Sequence, residues 1–289
     1  CDDGSCSSPT VYGCTNSNAL NYNPNATFNN GSCTYIKTYV PDDIFEAWLE
    51  GNGYGDGIEF NDSVLTSAIS AVTYLDIPNK NISDITGILD FISLENLNAG
   101  NNNLINVDLS TLYLLEEISL YDNHQLTQVI LPDSSADQMW GCSFGIGHPY
   151  YDNCGLYINL SGCYLLDNLS IPQNLNVRTL YLWNTPLLDS LDVSSAFNLR
   201  NLEIYNSNLK NLDLNSNNYL RYLYLYSNDS LLTLDCKNKF DLTSIYVDDN
   251  NLLNTFDLRN VIEVNINNHS FYNNPQLNCI SVTDTLVSN

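Results

Sequence analysis

The residues with the clearest potential for chemistry are aromatic and arginine side chains that recur at a nearly constant spacing. Arg178, Arg200 and Arg221 follow one another at intervals of 22 and 21 residues, in a chain with only 9 Lys and Arg. Rigid rings give contact area at little entropic cost, and arginines donate directed hydrogen bonds. The pattern predicts a recognition surface for a glycan or a protein loop, made by Arg178, Tyr181, Trp183, Arg200, Tyr205, Arg221, Tyr222, Tyr224, Tyr226 and Tyr246.

The same residues also have an interpretation that needs no ligand. Tyrosine is a favourable strand residue, and stacked rings stabilise neighbouring strands by themselves. The three arginines could simply offset acidic neighbours such as Glu203 on a very acidic surface. The residue types favour binding over a purely structural role, because exposed apolar patches usually mark contact sites.

Catalytic motifs are missing from the sequence. It has no Gly-x-Ser-x-Gly elbow, no His-Glu-x-x-His pair and no phosphate-binding glycine loop. Glu116 and Glu117 are adjacent, so on a strand we expect them to point to opposite faces rather than form a carboxylate pair. His148 lies between Cys142 and Cys154, but cysteines in an exported loop are expected to be bridged. The sequence therefore predicts neither an enzyme nor a metal site.

The charge balance excludes two classes of partner. The chain has 33 Asp and Glu against 9 Lys and Arg, a net charge of -24 and a pI near 4.1. Such a chain repels a phosphate backbone and an anionic membrane surface. Its apolar runs, such as residues 112–115, fall far short of the roughly 20 residues of a membrane-spanning helix. We expect no nucleic acid partner and no transmembrane segment.

A repeat explains the constant spacing. The template Leu-x-x-Leu-x-Leu-x-x-Asn fits turns that begin at Val72, Leu94, Leu115, Gly155, Val177, Leu199, Leu220, Leu242 and Ile266. Positions 4 and 6 should point inward and positions 3, 5 and 7 outward, as the period of a strand requires. Stacked turns cover one another and form a parallel sheet in which equivalent residues line up. Asn or Cys at position 9 is the signature of a leucine-rich repeat.

The predicted fold is thus a right-handed leucine-rich repeat solenoid with a parallel sheet on its concave face. The second half of each turn is short and rich in Asp, Ser and Asn, which favours extended or 3-10 segments on the convex side. We expect a small Cys-rich module at 1–38, an N-terminal cap at 39–71 and about nine turns at 72–289. The cap should contain a helix near 41–49, with Ile44, Phe45, Trp48 and Leu49 covering the core.

Cysteines supply a further set of predictions. The loop at 132–154 interrupts the repeat and should be closed by Cys142 and Cys154, and the N-terminal module should depend on a disulfide. Cys14 and Cys33 are candidates for that bridge. Cys163 and Cys236 fall at inward positions and are expected in the core. The total of 9 is odd, and the pairing of Cys1, Cys6, Cys163, Cys236 and Cys279 stays open.

Several motifs resemble secreted surface proteins of Bacteroidota. In the N-terminal module these are Gly13-Cys14-Thr15, Asn21-Tyr22-Asn23-Pro24 and Gly31-Ser32-Cys33. Residues 39–282 resemble the leucine-rich repeat surface proteins of the same bacteria, with internalin-like turns. The matching stretches are Tyr39-Val40-Pro41-Asp42-Asp43, Ile82-Ser83-Asp84-Ile85-Thr86-Gly87-Ile88 and Asn273-Asn274-Pro275-Gln276-Leu277-Asn278-Cys279-Ile280.

This resemblance implies export, usually by type IX secretion, and a non-catalytic, adhesin-like role on the extracellular or outer-membrane surface. The partner would be a protein or a glycan. The alternative is a structural component of a surface assembly or filament, formed by self-association or as a surface lipoprotein subunit. In that case Cys1 would carry the lipid; otherwise we expect the chain to be a fragment of a longer protein.

No cofactor is expected, with calcium as the one alternative. Residues 52–57 resemble a calcium loop, but its twelfth position is Ser63 and not Glu. The short module also has Thr15, Asn29 and Asn30 where related modules have acidic residues. Hard cations favour carboxylate oxygens, so a glycine-rich turn of the cap is the preferred interpretation.

Overall fold

The chain forms a parallel β-solenoid. The computed structural model describes residues 9–133, 155–173, 175–261 and 268–283. Its main sheet has nine strands in chain order, all parallel. With strands numbered along the chain, these are β5 Tyr74–Asp76, β6 Asn96–Asn98, β8 Glu117–Ser119, β10 Leu156–Asn159, β11 Val177–Trp183, β12 Asn201–Tyr205, β13 Tyr222–Tyr226, β15 Ser244–Asp248 and β17 His269–Ser270. The predicted leucine-rich repeat solenoid is confirmed.

The inward positions of the template fill a continuous core. Position 4 is fully buried in the first eight turns, as in Leu75, Leu180 and Ile245. Position 6 is equally buried, from Ile77 to Val247. Because a single turn cannot enclose these side chains, each turn depends on its neighbours for burial.

The second half of several turns is extended or 3-10, as predicted, and it contains little regular helix. Two short parallel sheets lie there, one made of β7 Asn106–Asp108 and β9 Gln128–Ile130, the other of β14 Thr233–Asp235, β16 Thr255–Asp257 and β18 Cys279–Ser281. A 3-10 helix spans Ile88–Asp90.

In several turns a buried asparagine bonds the bend to the turn before it. Asn102 Nδ2 donates to the carbonyls of Ala99 (3.0 Å) in its own turn and Ile77 (2.8 Å) in the preceding turn, and its Oδ1 accepts from the N–H of Ile82 (3.1 Å). Cys163 takes the same place in its turn, where its thiol donates to the carbonyl of Leu120. Position 9 therefore satisfies backbone groups that have no partner within the sheet.

The residue at position 8, just before position 9, is left-handed in all nine turns. Asn79, Asn101, Asp122, Gly162, Asn184, Asn206, Ser227, Asp249 and Asn273 have φ between 51° and 74°. Asn, Asp and Gly are the residues that tolerate this conformation best. The composition of position 8 was thus a second sequence signal for the bend, which the template did not use.

The cap lies before the first turn. Strand β3 Lys37–Tyr39 pairs antiparallel with β4 Ser63–Leu65, with helix α1 Asp43–Gly51 between them and a short helix α2 Thr66–Ile69 after them. Phe45 and Leu49 of α1 are fully buried in the solenoid core. Trp48 is partly buried against the same core, but Ile44 is 45% exposed, so its predicted place in the core is wrong. Its position on the outer face of the helix explains the difference.

The N-terminal module is held by a disulfide between Cys14 and Cys33. Its strands β1 Tyr12–Gly13 and β2 Phe28–Asn29 form a separate parallel pair. Among the described residues, Cys163 and Cys236 are buried and unbridged, as expected of core residues, and Cys279 is exposed and unbridged. Cys1, Cys6, Cys142 and Cys154 lie outside the described residues, as does most of the inserted loop at 132–154.

Candidate functional site

A continuous group of aromatic rings lies on the outer face of the nine-stranded sheet. Parallel pairing without a shift aligns position 5 (Tyr181, Tyr224, Tyr246) and position 7 (Trp183, Tyr205, Tyr226) across neighbouring strands. We call these six residues together with Tyr157 the aromatic surface. The structure therefore brings together six of the ten residues named from the sequence.

The rings touch one another along the whole group. Ring centroids are 5.4 Å apart for Tyr157 and Tyr181, 5.8 Å for Tyr181 and Trp183, and 5.0 Å for Trp183 and Tyr205. The series continues from Tyr205 to Tyr226 (4.7 Å), from there to Tyr246 (6.3 Å), and from Tyr246 to Tyr224 (5.1 Å). Edge-to-face and offset contacts at these distances stabilise each ring in place.

The remaining four predicted residues lie beside this group. Tyr222 is at position 3 and 41% exposed, in register with Asn201 and Ser244 and not with other rings. Arg178, Arg200 and Arg221 are at position 2, where the strands enter the sheet.

Glu203 lies among the rings and holds two of them. Its Oε2 accepts hydrogen bonds from Trp183 Nε1 (3.1 Å) and from the Tyr205 hydroxyl (3.2 Å), and the residue is only 9% exposed. Burial raises the pKa of Glu203, against the opposing effect of hydrogen bonds from Tyr205, Trp183 and Tyr181. The sequence interpretation placed Glu203 on the surface as a neighbour that arginines offset. That was wrong about its environment, because the rings enclose it.

The phenol groups share this environment. Burial raises the pKa of Tyr181 to about 12, and the negative charge of Glu203 adds to the shift. Burial likewise raises the pKa of Tyr226 to about 12, followed by the charge of Asp248. Tyr181 and Tyr226 therefore remain neutral hydrogen-bonding groups at physiological pH.

Several outward positions are covered. Ser119, Thr179, Ser244 and Asp248 are each less than 9% exposed although their strand positions face outward. Ser244 Oγ lies 3.1 Å from the Tyr224 hydroxyl, and Asp248 Oδ1 accepts from the N–H of Tyr272 (2.6 Å). Strand alternation predicts direction correctly, but it cannot predict that a neighbour such as Tyr224 contacts and helps to cover Ser244.

A polar cavity of about 330 Å³ lies at the edge of the sheet where the strands begin. We call it the edge cavity; it is lined by Asn96, Glu116, Glu117, Gly155, Tyr157 and Arg178. Glu116 and Glu117 both line it, although adjacent residues on a strand were expected to point to opposite faces. The reason is that Glu116 precedes strand β8, where strand alternation does not yet apply.

The strand register next to this cavity corrects the repeat template. Leu156 pairs with Val177 and Tyr157 with Thr179, so Arg178 has no counterpart in β10. The fourth turn therefore begins at Leu156 and not at Gly155, and it lacks a residue at position 2.

The other cavities and loops of the described chain are weaker candidates for a functional site. A cavity of about 600 Å³ lies away from the rings, lined by residues such as Ile85, Ile88 and Val107, without a catalytic arrangement of side chains. In the calcium-like loop, Glu50 accepts from the N–H groups of Asp56 (2.6 Å) and Gly57 (2.9 Å), which explains the loop as a turn of the cap.

One set of three carboxylates among the described residues could hold a metal ion. Asp43, Glu46 and Asp62 place oxygens within 4.8 Å of one another. Both oxygens of Glu46 already accept backbone N–H groups, from Asn61 (3.0 Å) and Asp62 (3.1 Å), so a structural role accounts for it. The repeat template did not predict this cluster.

The described part of the chain has no helix long and apolar enough to cross a membrane. No family model and no curated protein matches the sequence. Solved structures with a similar chain path include internalins of Listeria monocytogenes. The functional domain of InlJ, which includes a cysteine ladder, has 18% identity and a TM-score of 0.42 over 86% of this chain and 62% of that domain.

Internalin C2 has 15% identity and a TM-score of 0.36 over 87% of this chain and 100% of that one. Internalin InlF has 17% identity and a TM-score of 0.40 over 84% and 69% of the two chains. This chain thus spans less than two thirds of the InlJ domain. Likeness at this level says nothing about a ligand.

Proposed function

We propose that this chain is a non-catalytic interaction module of a cell surface or the extracellular space. Its aromatic surface binds a glycan or a segment of a protein. The observation that carries the proposal is the continuous contact between seven rings that are fixed to one another and to Glu203 before any ligand arrives. Binding to rigid groups costs little conformational entropy.

The environment of the rings supports a role beyond strand stability. Trp183 of the aromatic surface remains 38% exposed, and Tyr222 beside that surface is 41% exposed, although both belong to a sheet with a complete apolar core beneath it. A row of stacked rings that served only the fold would gain more by being covered. Exposed apolar patches of this kind usually mark contact sites.

The disulfide of the N-terminal module supports a location outside the cytosol. Cys14 and Cys33 are bridged in a module with little apolar core of its own. Such bridges persist in oxidising compartments and are rare in the cytosol. We propose the extracellular or outer-membrane surface on this basis.

A binding screen tests the function. The purified chain would be applied to a glycan array and to an array of extracellular proteins, beside the double variant Trp183→Ala, Tyr205→Ala. We expect at least one probe to bind the wild type and binding to fall by at least 10-fold in the variant, since central aromatic contacts dominate such interfaces. Tyr219→Ala, which removes a 50% exposed tyrosine from the second half of a turn, is the matched control and should bind normally.

Self-association is the second candidate. Among the described residues, β17 and β18 are the last strands of their sheets, and Tyr272 (74%) and Val282 (57%) are exposed beside them. Open strand edges favour pairing with another chain. Sedimentation at increasing concentration would show dimers if this proposal is correct. Dimers, together with the absence of binding on both arrays, would replace the first proposal by this one.

A further inference from the structure

We propose that the edge cavity binds a single neutral sugar residue, through hydrogen bonds to its hydroxyl groups. This inference rests on the proposed function, because the rest of the glycan would lie on the aromatic surface. It goes further by assigning a separate subsite, its residues and its ligand class.

The cavity exists because one residue is missing. Position 2 carries Glu116 in the third turn and Arg178 in the fifth, but the register of β10 leaves the fourth turn without a residue there. The two side chains consequently flank a gap where the stack would otherwise continue. Irregularities of this kind redirect side chains and occur often beside functional sites.

Gly155 keeps this gap open. Its φ of +122° is a backbone conformation that other residues rarely adopt, and a Cβ there would lie 2.9 Å from Arg178 Cβ and 3.0 Å from the carbonyl of Asn176. The absence of a side chain lets Arg178 lie close to the backbone of the fourth turn and line the cavity.

Arg178 brings an unused donor to the site. Its Nε is buried and has no hydrogen-bond partner among the described residues. Buried donors are nearly always bonded, so an unbonded one in a cavity wall indicates a missing acceptor. Because Nε is buried, a ligand in the cavity reaches it only when the Arg178 side chain turns toward the cavity, where a sugar hydroxyl or ring oxygen would accept its hydrogen bond.

The other walls have complementary chemistry. The carboxylates of Glu116 and Glu117 accept hydrogen bonds, Asn96 both donates and accepts, and the Tyr157 hydroxyl does the same. Asn96 Nδ2 lies 3.4 Å from Glu117 Oε2, which gathers the polar atoms on one side. A hydroxyl group donates and accepts at once, so a molecule with several adjacent hydroxyls satisfies this mixed set.

Charge and size narrow the ligand class. Two carboxylates beside one guanidinium give the lining a net negative charge, which disfavours an anionic ligand, and the mixture of donors and acceptors matches hydroxyl groups better than a bare cation. The volume of about 330 Å³ lies at the lower end of small-molecule sites, which suits one pyranose and not an oligosaccharide.

The cavity adjoins the rings. Tyr157 belongs to its wall and also contacts Tyr181 of the aromatic surface at 5.4 Å between centroids. A sugar in the edge cavity would therefore place the next residues of its chain on Tyr181 and Trp183.

Saturation-transfer NMR tests the inference with defined probes. These are the methyl glycosides of glucose, galactose, mannose, N-acetylglucosamine and N-acetylgalactosamine, with L-lysine and L-glutamate as charged comparators. We expect signals from at least one glycoside, affinity that changes less than twofold between 50 and 500 mM NaCl, and a shift of the Arg178 Nε–Hε resonance. Salt-dependent binding of an amino acid without any glycoside signal would overturn the ligand class.

Two variants assign the residues. Arg178→Gln and Glu116→Gln should each weaken glycoside binding by about 10- to 100-fold, since a lost hydrogen bond to a charged group is worth about that much. Glu116 is exposed, so its replacement leaves the fold intact even if Arg178→Gln disturbs it. Arg259→Gln is the control, because this arginine bonds to Asp257 of strand β16, in the short sheet of β14, β16 and β18 and not in the main sheet.

The outcomes separate the two proposals. Array binding that depends on Trp183 and Tyr205 but not on Arg178 or Glu116, with no glycoside signal, would refute the edge-cavity site and leave the proposed function standing. Glycoside binding that depends on Arg178 while arrays of extended probes remain silent would support the cavity and count against the aromatic surface.

Discussion

At the scale of single residues, buried polar side chains decide the local structure. Asn228 is fully buried; its Nδ2 donates to the carbonyl of Ile204 (2.8 Å), and its Oδ1 accepts from the Ser207 hydroxyl (2.7 Å) and N–H (3.2 Å). Position 9 was predictable from the sequence because backbone groups at a bend need such partners. Glu203 was not predictable, since its burial depends on rings from three different turns.

Replacement of Asn228 tests the role of position 9. Asn228→Ala leaves the Ile204 carbonyl and the Ser207 donors without their partner, so we expect the free energy of unfolding to fall by about 3 kcal/mol. Asn251→Ala removes an exposed hydrogen bond to Asp229 and should change it by less than about 0.5 kcal/mol. Denaturant titration compares the unfolding free energies of the two variants. Equal losses would refute the distinction between buried and exposed asparagine hydrogen bonds.

The raised pKa of Glu203 predicts a pH dependence of stability. A carboxyl whose pKa is higher in the folded chain contributes stability below the unfolded pKa and loses it as pH rises through the folded value. Glu203→Gln cannot ionise but keeps an acceptor for Trp183 and Tyr205. We therefore expect the variant to gain stability relative to the wild type between pH 4 and pH 7. Chemical denaturation of both proteins at pH 4 and pH 7 checks this. A stability of the variant, relative to the wild type, that is lower at pH 7 than at pH 4 would contradict it.

At the scale of elements, periodicity predicted what repeats and missed what occurs once. Inward positions such as Leu180 and Ile245, the solenoid sheet and the α1 helix followed from spacing alone. The irregular fourth turn did not, because the template tolerates a one-residue shift. A signal was present: Gly155 occupied a template position that is aliphatic in every other turn.

The cap helix gives a prediction of the opposite pH sign. Asp42 Oδ1 accepts from the N–H of Ile44 and Phe45 (both 3.0 Å), and its Oδ2 accepts from Ser83 N (2.8 Å), which joins the helix to the solenoid. Burial acts to raise the pKa of Asp42, but hydrogen bonds from Ser83 and Phe45 outweigh it and leave the pKa lowered. The stability that Asp42 contributes is therefore present above its unfolded value of 3.8 and lost as pH falls through the folded pKa.

Asp42→Ala should accordingly lower the free energy of unfolding by about 2 kcal/mol at pH 7. The difference from the wild type should shrink below pH 3. The exposed Asp43→Ala serves as the control with little effect at either pH. A penalty for Asp42→Ala that stays constant down to pH 2 would show that the carboxylate charge is not the cause.

At the scale of the whole molecule, the solenoid converts a sequence spacing into a surface. Residues about 22 positions apart in the chain become neighbours across the sheet, so Trp183, Tyr205 and Tyr226 form one group. This part of the candidate site was predictable because equal turns align equal positions. Which rings remain accessible depends on how they pack on one another, and no linear pattern contains that information.

The fluorescence of Trp183 tests this account most directly. The chain has 3 tryptophans, so Trp48→Phe with Trp140→Phe leaves Trp183 as the single reporter within the aromatic surface. Titration with the ligand selected on the arrays should change its emission saturably, at the concentration that half-saturates binding, and Tyr205→Ala should weaken both together. Full binding of that ligand without any change in Trp183 emission would contradict the assignment of the aromatic surface as the binding site.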